Sequence, residues 1–328
     1  MKKCIQFMLV AMVCGSQVKA QFFKNDEAFA HTFSIVARDP QTGEMAVGVQ
    51  SHWFSVGTAV PWGEAGVGVV ATQSFVNKSY GPLGLQLMKN GVTATDALQQ
   101  LLDKDAGKEV RQVAMIDAKG NVNAYTGKNC IDYANHIVGN NYSVQSNMML
   151  NNTVCKAMAA AYEKNNDKPL AERVLAALQA AQQAGGDIRG KQSAAILVVA
   201  GQATAQPWND KKIDLRVDDH ITPLVELARL LKLYRAYEHM DAGDLASEKN
   251  DMPLAMKEYG TAMSMFPKNL EMQYWTAITL ANNKKIKEAA AILQKIYKQD
   301  NNWRLLTQRL PKVGLLNTSA DDYQLLIK

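Results

Sequence analysis

The sequence lacks a hydrophobic run long enough to cross a membrane. Residues 4–15 are apolar except for Gln6, but a spanning helix needs about 20 apolar residues, and no later stretch is long enough either. Two lysines precede this run and Val18-Lys19-Ala20 follows it, a pattern typical of a signal peptide. We therefore expect cleavage near Ala20 and an exported mature protein, periplasmic or secreted, without stable membrane insertion.

The sequence also lacks a large excess of charges of one sign. The chain has 36 basic and 31 acidic residues, and removal of Lys2, Lys3 and Lys19 would leave a net charge of +2. No cluster of basic residues supplies a local positive surface. The composition therefore gives no reason to expect a nucleic-acid partner.

Cysteine and histidine are scarce, with four and five residues. Cys130 and Cys155 would survive signal cleavage, and they could pair in an oxidising compartment or pack as unpaired thiols; the sequence leaves both interpretations open. A Cys130 nucleophile with His136 as its base is a further alternative without a local signature. The histidines lack ligand spacing, so we expect no metal site and no cofactor.

Several catalytic and nucleotide-binding motifs are absent. The chain contains no G-x-S-x-G, H-E-x-x-H, C-x-x-C or Walker sequence. Gly66, Gly68 and Ala71 spell G-x-G-x-x-A, but these glycines lie inside an apolar strand pattern. Dinucleotide binding is therefore not predicted.

The first part of the mature chain alternates in the manner of a β-hairpin. Apolar and polar residues alternate from Thr32, Asp39 to Gly43 mark a turn, and a second strand runs over residues 44–50. Ala46 and Gly48 give this second strand a small face, on which another element should pack closely. The further predicted elements are strands 65–74, 111–117, 122–126, 193–200 and 213–217 and helices 81–90, 95–104, 154–163 and 170–184.

This order predicts an α+β fold. Strands, two helices, strands, two helices and strands follow one another, which fits two antiparallel sheets between helical layers better than a doubly wound sheet. From Thr222 the pattern becomes wholly helical, with Thr222 as a predicted N-cap and Pro223 at the first helical position. We predict a linking helix over residues 222–240 and a small all-α domain over residues 241–328.

The C-terminal region resembles tetratricopeptide repeats. Ala289 follows Ala255 by 34 residues, the length of this repeat, although the second copy departs from the pattern. The residues that occupy the small, aromatic and proline positions of the first copy are Gly243, Ala255, Tyr259, Ala262 and Pro267.

A series of short segments carries a second resemblance. In chain order they are HTFSIVARDPQTGEMAVGVQSHWFSVG, AGVGVVATQSF, YGPLGLQLM, RQVAMIDAKG, YSVQSNMM, GGDIRGKQSAAILVV and DLRVDDH. Over about residues 31 to 240 the chain resembles a bacterial family of unknown function, DUF1028, which is grouped with the N-terminal nucleophile (Ntn) hydrolases. The resemblance implies a four-layer αββα sandwich over residues 32–221.

The resemblance also implies that Thr32 is a nucleophile whose own α-amine acts as general base. A threonine hydroxyl is weakly nucleophilic until a base removes its proton, and a free α-amine with a pKa of about 7.7 to 8.0 suits that task. An amine inside a peptide bond cannot serve. We therefore expect cleavage between His31 and Thr32, with residues 21–31 as a propeptide, and self-cleavage is the usual solution among Ntn hydrolases.

Four further residues are candidates for the same site. Ser34 shares a strand face with Thr32, where it could hydrogen-bond near the nucleophile or fill an ordinary strand position. His52 follows the second strand and could orient or protonate a leaving group, or be a packed, hydrogen-bonded histidine. Thr72 and Gln73 end a strand and could line the same cleft or be structural.

Asn147 is the candidate donor to a developing oxyanion, with a helix cap as the alternative. In the glycine-rich segment GGDIRGKQS, Arg189 could bind a substrate carboxylate, or Asp187 could neutralise it in a surface ion pair. Four residues of DLRVDDH could bind a cation or form a solvated strand end: Asp214, Asp218, Asp219 and His220.

The predicted function is hydrolysis of an amide bond in a small peptide or acylated amine through an acyl-enzyme on Thr32. The alternative is a non-catalytic envelope-binding or scaffold protein, with a degenerate Ntn domain and a helical tail that binds a peptide or protein partner. A purely structural envelope protein is a third class. Homo-oligomers are possible under each of these interpretations.

Overall fold

The structure, a computed structural model, describes the backbone of residues 28–30 and residues 32–328. The predicted signal peptide and the bond between His31 and Thr32 lie outside the described residues.

The described strands form two antiparallel sheets. The first has the order β1-β5-β6-β7, with β4 also paired to β5, and the second has the order β11-β10-β3-β2-β9-β8. The strands are β1 (Ala28–Ala30), β2 (Thr32–Arg38), β3 (Met45–Ser51), β4 (Pro61–Glu64), β5 (Gly68–Val76), β6 (Arg111–Asp117), β7 (Val122–Thr126), β8 (Asn135–Gly139), β9 (Tyr142–Ser146), β10 (Ser193–Val199) and β11 (Lys211–Val217).

The predicted opening hairpin is confirmed. Strands β2 and β3 pair from Thr32 opposite Ser51 to Arg38 opposite Met45. In the turn, Asp39 Oδ1 accepts hydrogen bonds from two backbone N–H groups, at 2.7 and 3.0 Å. Gly43 closes the turn with φ of +76°, a value that favours glycine.

The two sheets face each other across an apolar layer that includes Val36, Val49 and Ala71. Helices α1 (Tyr80–Lys89) and α2 (Ala94–Lys104) pack on the other face of the first sheet, and α3 (Val154–Lys164) and α4 (Leu170–Gln183) on the other face of the second. The order is therefore helices, sheet, sheet, helices. The predicted α+β class with antiparallel sheets is confirmed.

Four strands were not predicted from the sequence pattern: β1, β4, β8 and β9. Strand β8 is exposed or half-buried along its length, so its sequence carries no strong alternation. Strand β9 nevertheless pairs with β2 and holds part of the candidate site.

The small face of β3 packs directly on helix α4, as the sequence predicted. A Cβ atom on Gly48 would lie 2.3 Å from Val174 Cγ1 and 3.1 Å from Leu178 Cδ1. Both helix residues are buried, so neither can move without disturbing the core. Glycine at this position allows the helix to approach the strand.

We expect Gly48→Ala to lower the free energy of unfolding by roughly 1–3 kcal/mol, because the added methyl group overpacks the core. The matched control is Gly260→Ala, where a Cβ atom would meet no heavy atom within 4 Å in the described structure. That substitution lies inside a helix and should be neutral or stabilising by up to about 1 kcal/mol. Urea midpoints of the two variants measure the difference, and equal shifts would contradict the prediction.

The C-terminal region is helical, as predicted, but its first helix extends beyond residue 240. Thr222 stands at the N-cap position, yet its side chain caps no backbone N–H; its own N–H lies 3.1 Å from His220 Nδ1 instead.

Within the described range no helix is long and apolar enough to span a membrane. The helices of this region are α5 (Pro223–Glu248), α6 (Met252–Met265), α7 (Leu270–Asn282), α8 (Ile286–Gln299), α9 (Asn302–Arg309) and α10 (Ala320–Leu326).

Candidate nucleophile site

Thr32 lies at the end of the second sheet where four strands meet. It is the first residue of β2, it pairs with Ser51 at the end of β3, and Ser51 pairs with Ser193 at the start of β10. Asn147 directly follows β9 at the same end. Because alternate residues share a face, Thr32 and Ser34 point, like Val36, toward the first sheet.

The chain changes sheets immediately before Thr32. Strand β1 belongs to the first sheet, where Ala30 pairs with Ser74 of β5, whereas Thr32 belongs to the second. Thr32 is fully buried between the sheets. The predicted cleavage position therefore lies between the last residue of β1 and the first residue of β2 in the sequence.

Ser34 connects the two sheets through its hydroxyl group. Its Oγ donates to Gln73 Oε1 at 2.6 Å and accepts from Gln145 Nε2 at 2.6 Å. All three side chains are fully buried. The prediction that Ser34 hydrogen-bonds near Thr32 agrees with this geometry.

Gln112, on β6 of the first sheet, is the centre of the network. Its Oε1 accepts from Gln73 Nε2 at 2.7 Å and from Asn147 Nδ2 at 2.9 Å. Its Nε2 donates to Thr126 Oγ1 at 2.8 Å and to the Ser146 carbonyl at 2.9 Å. A fully buried amide with partners on both sheets fixes the distance between them.

The main-chain carbonyl of Thr32 accepts hydrogen bonds from two of the predicted site residues. Asn147 approaches it with its backbone N–H at 3.1 Å and its side-chain Nδ2 at 3.4 Å, and Gln73 Nε2 lies at 3.4 Å. Asn147 is therefore bonded beside Thr32 and does not act as a helix cap. Its buried amide is positioned by Gln112.

Thr72 does not join this network. Its Oγ1 donates to the Asn77 carbonyl at 3.1 Å. Since Gln73 faces the second sheet, the alternation of β5 directs Thr72 to the opposite face. The expectation that both residues line one cleft was wrong for Thr72.

Asp187 holds the loop before β10 against the end of β3. Its carboxylate is buried and accepts from Arg189 Nη2 at 2.7 Å and Nε at 3.1 Å, and from the His52 backbone N–H at 3.2 Å. The predicted ion pair between Asp187 and Arg189 therefore forms, but its carboxylate is buried and not at the surface. The His52 side chain is exposed, so the alternative of a packed histidine was wrong.

Cys130 and Cys155 do not form a disulfide, and Cys130 does not form a catalytic pair with His136. Cys130 and Cys155 are separate buried thiols, and Cys130 Sγ donates to the Arg111 carbonyl. His136 Nδ1 lies 2.8 Å from Thr126 Oγ1, and burial lowers the pKa of His136. Burial also raises the pKa of Cys130, and it raises the pKa of Cys155 to about 11.

We expect both thiols to resist alkylation in the folded protein. A pKa of about 11 lowers the thiolate fraction of Cys155 near pH 8 by roughly 100-fold relative to an exposed thiol, and burial blocks access. Mass spectrometry after iodoacetamide treatment should show no label at Cys130 or Cys155 in buffer and full labelling in urea. Rapid labelling of either residue without urea would contradict this expectation.

The residues considered for cation binding each have a separate partner. Asp214 pairs with Lys211 and Arg216, Asp218 accepts from Ser55 Oγ, and Asp219 accepts from Gln192 Nε2. Across residues 28–30 and 32–328, no group of three or more His, Cys, Asp or Glu side chains could hold a metal ion.

The fold and site define a class: an α+β protein in which a threonine begins a central strand beside a buried amide network. The model of a family of unknown function (DUF1028) matches residues 32–227, and the chain belongs to this family. The match begins at Thr32.

A solved structure supports the family relationship. The crystal structure of protein SPO2555 from Silicibacter pomeroyi, described as a DUF1028 protein, is similar with a TM-score of 0.56 and 31% sequence identity. The similarity covers 62% of this chain and 88% of that chain. No curated protein matches the sequence.

Proposed function

We propose that this protein is an Ntn-type amidohydrolase with Thr32 as its nucleophile. The observation that carries the proposal is the position of Thr32 as the first residue of β2, directly after the chain leaves the other sheet. Two facing antiparallel sheets with helices on their outer faces are the layers expected of an Ntn-type sandwich. The start of the family match at Thr32 further supports the proposal.

The proposal requires self-cleavage before Thr32. The Thr32 hydroxyl attacks the carbonyl carbon of His31, the C–N bond breaks, and the hydroxyl proton passes to the departing nitrogen. The resulting ester is hydrolysed by water, which releases a His31 carboxylate. Thr32 then carries both a hydroxyl group and an α-amine, the pair that an Ntn nucleophile needs.

Substrate hydrolysis uses the same chemistry, with a bound substrate amide in place of the bond between His31 and Thr32. The α-amine takes the hydroxyl proton while Oγ attacks the substrate amide, and the proton then passes to the leaving amine. Asn147 Nδ2 is the proposed donor to the developing oxyanion. Gln112 Oε1 holds one of its hydrogens at 2.9 Å, and the other exchanges its long 3.4 Å contact with the Thr32 carbonyl for the oxyanion. Water hydrolyses the acyl ester and restores the enzyme.

Three exposed apolar side chains support an apolar acyl group in the substrate. Phe54, Ile188 and Leu150 are 63%, 58% and 54% exposed. Hydrogen bonds join their loops at the Thr32 end: Leu150 N–H donates to the Gly186 carbonyl at 2.9 Å, and the His52 N–H donates to Asp187. Because Asp187 engages Arg189, we assign this pair to positioning the loop rather than to binding a carboxylate.

We propose that residues 241–328 form a tetratricopeptide-like helical tail. We further propose that this tail binds a protein partner of the exported enzyme. Within it, a Cβ atom on Gly243 would lie 2.4 Å from Tyr259 Cε1, so glycine permits close packing of α5 and α6. Tyr259 is buried and donates to Asp244 Oδ1 at 2.6 Å. The close small–aromatic contact supports the repeat-like assignment.

A panel of fluorogenic amides tests the proposed function. N-acyl aminomethylcoumarins with acetyl, octanoyl, phenylacetyl, glutamyl and lysyl groups would be incubated with protein purified from an exporting host. We expect release of the fluorophore from the apolar acyl amides, with a slower reaction of the charged ones. Absence of turnover with every amide, by a chain that begins at Thr32, would overturn the proposal.

A further inference from the structure

A polar cavity lies at the opposite end of the second sheet from Thr32. Its volume is about 590 Å³, within the roughly 300–1,000 Å³ typical of small-molecule sites. The residues that matter for its chemistry are Arg38, Asp39, Glu44, Asp167, Lys168 and Arg173. Arg38 and Thr32 are six strand residues apart, or ~20 Å, so this cavity is separate from the candidate nucleophile site.

Arg173, in the first turn of α4, forms the floor of the cavity. It is only 9% exposed. Its guanidinium lies 4.3 Å from the centre of the Tyr162 ring, and its Nη1 is 3.7 Å from Asp39 Oδ2. Its Nε has no hydrogen-bond partner among the described residues.

Two other buried donor groups at this end also lack partners in the described part of the chain: Arg38 Nε and Tyr162 Oη. Burial raises the pKa of Tyr162 to about 12, so its hydroxyl remains protonated and can donate. Leaving a buried donor unsatisfied costs roughly 1–3 kcal/mol. These atoms are enclosed by protein, so they mark an excess of hydrogen-bond donors at this end of the sheet rather than direct contacts for a ligand.

The backbone that borders the cavity favours a negatively charged group in the ligand. Helix α4 begins at the cavity, and Pro169 at its N-cap has no side-chain group to satisfy the first N–H groups. The partial positive charge of a helix N-terminus attracts anions. The exposed Lys168 adds a cation at the cavity mouth.

The acidic residues of the cavity limit the charge of the ligand. Asp39, Glu44 and Asp167 balance the charges of Arg38, Lys168 and Arg173. A multiply charged anion would be repelled by these carboxylates. A single carboxylate can face the planar guanidinium of Arg173, while hydroxyl, amide or amino groups of the same ligand meet the polar rim.

We propose that this cavity is a binding site for a small polar monocarboxylate, such as a hydroxy acid or a zwitterionic amino acid. The ligand carboxylate contacts Arg173 and the first turn of α4. The proposal does not depend on hydrolysis at Thr32.

Isothermal titration calorimetry of the full exported chain tests this proposal with glycolate, L-serine, L-glutamine, inorganic phosphate and choline as separate probes. We expect at least one carboxylate probe to bind, with phosphate weaker and choline silent. Arg173→Gln should weaken that binding at least about 10-fold, and Lys168→Ala about 3-fold. The control Lys268→Ala, an exposed lysine of the helical tail, should leave the binding unchanged.

Lys168→Ala and Arg38→Gln keep the test decisive if Arg173→Gln fails to fold, because neither residue is fully buried. Weaker carboxylate binding in both would support the site. Absence of binding by all three carboxylates, tighter binding of phosphate, or affinities unaffected by these variants would overturn the proposal.

Discussion

Thr32→Ala is expected to leave the chain uncut before residue 32 and to abolish amide turnover. Both reactions use the same hydroxyl oxygen, since self-cleavage creates the amine that substrate hydrolysis then needs. Alanine keeps the small side chain and the strand pairing of Thr32 with Ser51, so the fold should survive. Intact mass and fluorogenic amide turnover measure the two losses on one sample.

Thr32→Ser is the matched control for this variant. It keeps a hydroxyl group at the same position, primary instead of secondary, and should still be processed and active, although its rate can differ. Ser34→Ala is a second control, because it removes a buried hydroxyl two residues away without removing the nucleophile. Cleavage or turnover that persists in Thr32→Ala would exclude Thr32 as the nucleophile.

Asn147→Ala is expected to lower kcat by about 10²–10³-fold with a much smaller change in KM. Loss of one oxyanion donor typically has this effect, because the hydrogen bond strengthens only as negative charge develops on the oxygen. Gln112 Oε1 would keep its hydrogen bond from Gln73 Nε2, which limits the structural damage. Initial rates over a range of amide concentrations separate kcat from KM.

The matched control for Asn147→Ala is Asn209→Ala. Asn209 is exposed and its side chain donates to Gln206 Oε1, far along the chain from the network. It should leave kcat and the unfolding midpoint unchanged. An Asn147→Ala protein that begins at Thr32, unfolds at the wild-type midpoint and keeps wild-type kcat would exclude the proposed oxyanion role.

The local pattern of the sequence predicted much of the fold. Strands β6 and β7 have the predicted bounds, because the two strands form a short hairpin with a clear turn between them. The four helices predicted between residues 81 and 184 agree with α1 to α4 within one or two residues. Helix α5 is longer than predicted, since Gly243 packs inside it and does not end it.

Much of the candidate site depends on contacts between sheets that local patterns do not contain. Thr32, Ser34, Gln73 and Asn147 were predicted and lie together in the structure. Gln112 was not predicted, because a glutamine in a β-strand has the same local pattern whether it faces solvent or another sheet.

Gln145 was missed for a related reason. It lies on β9, whose partner β8 is too exposed to show a strand pattern. The choice between Thr72 and Gln73 likewise required knowing which face of β5 meets the second sheet. Because adjacent strand residues point to opposite faces, alternation alone shows that only one of the two can line the cleft. It does not show which one.

The most direct test of the central claim is the N-terminal sequence and intact mass of the protein purified from its exporting host. The proposed mechanism predicts a chain that begins at Thr32, with or without the released peptide bound noncovalently. A stable chain that begins at Gln21 would leave the α-amine of Thr32 inside a peptide bond. That result would contradict the Ntn mechanism and favour a binding protein.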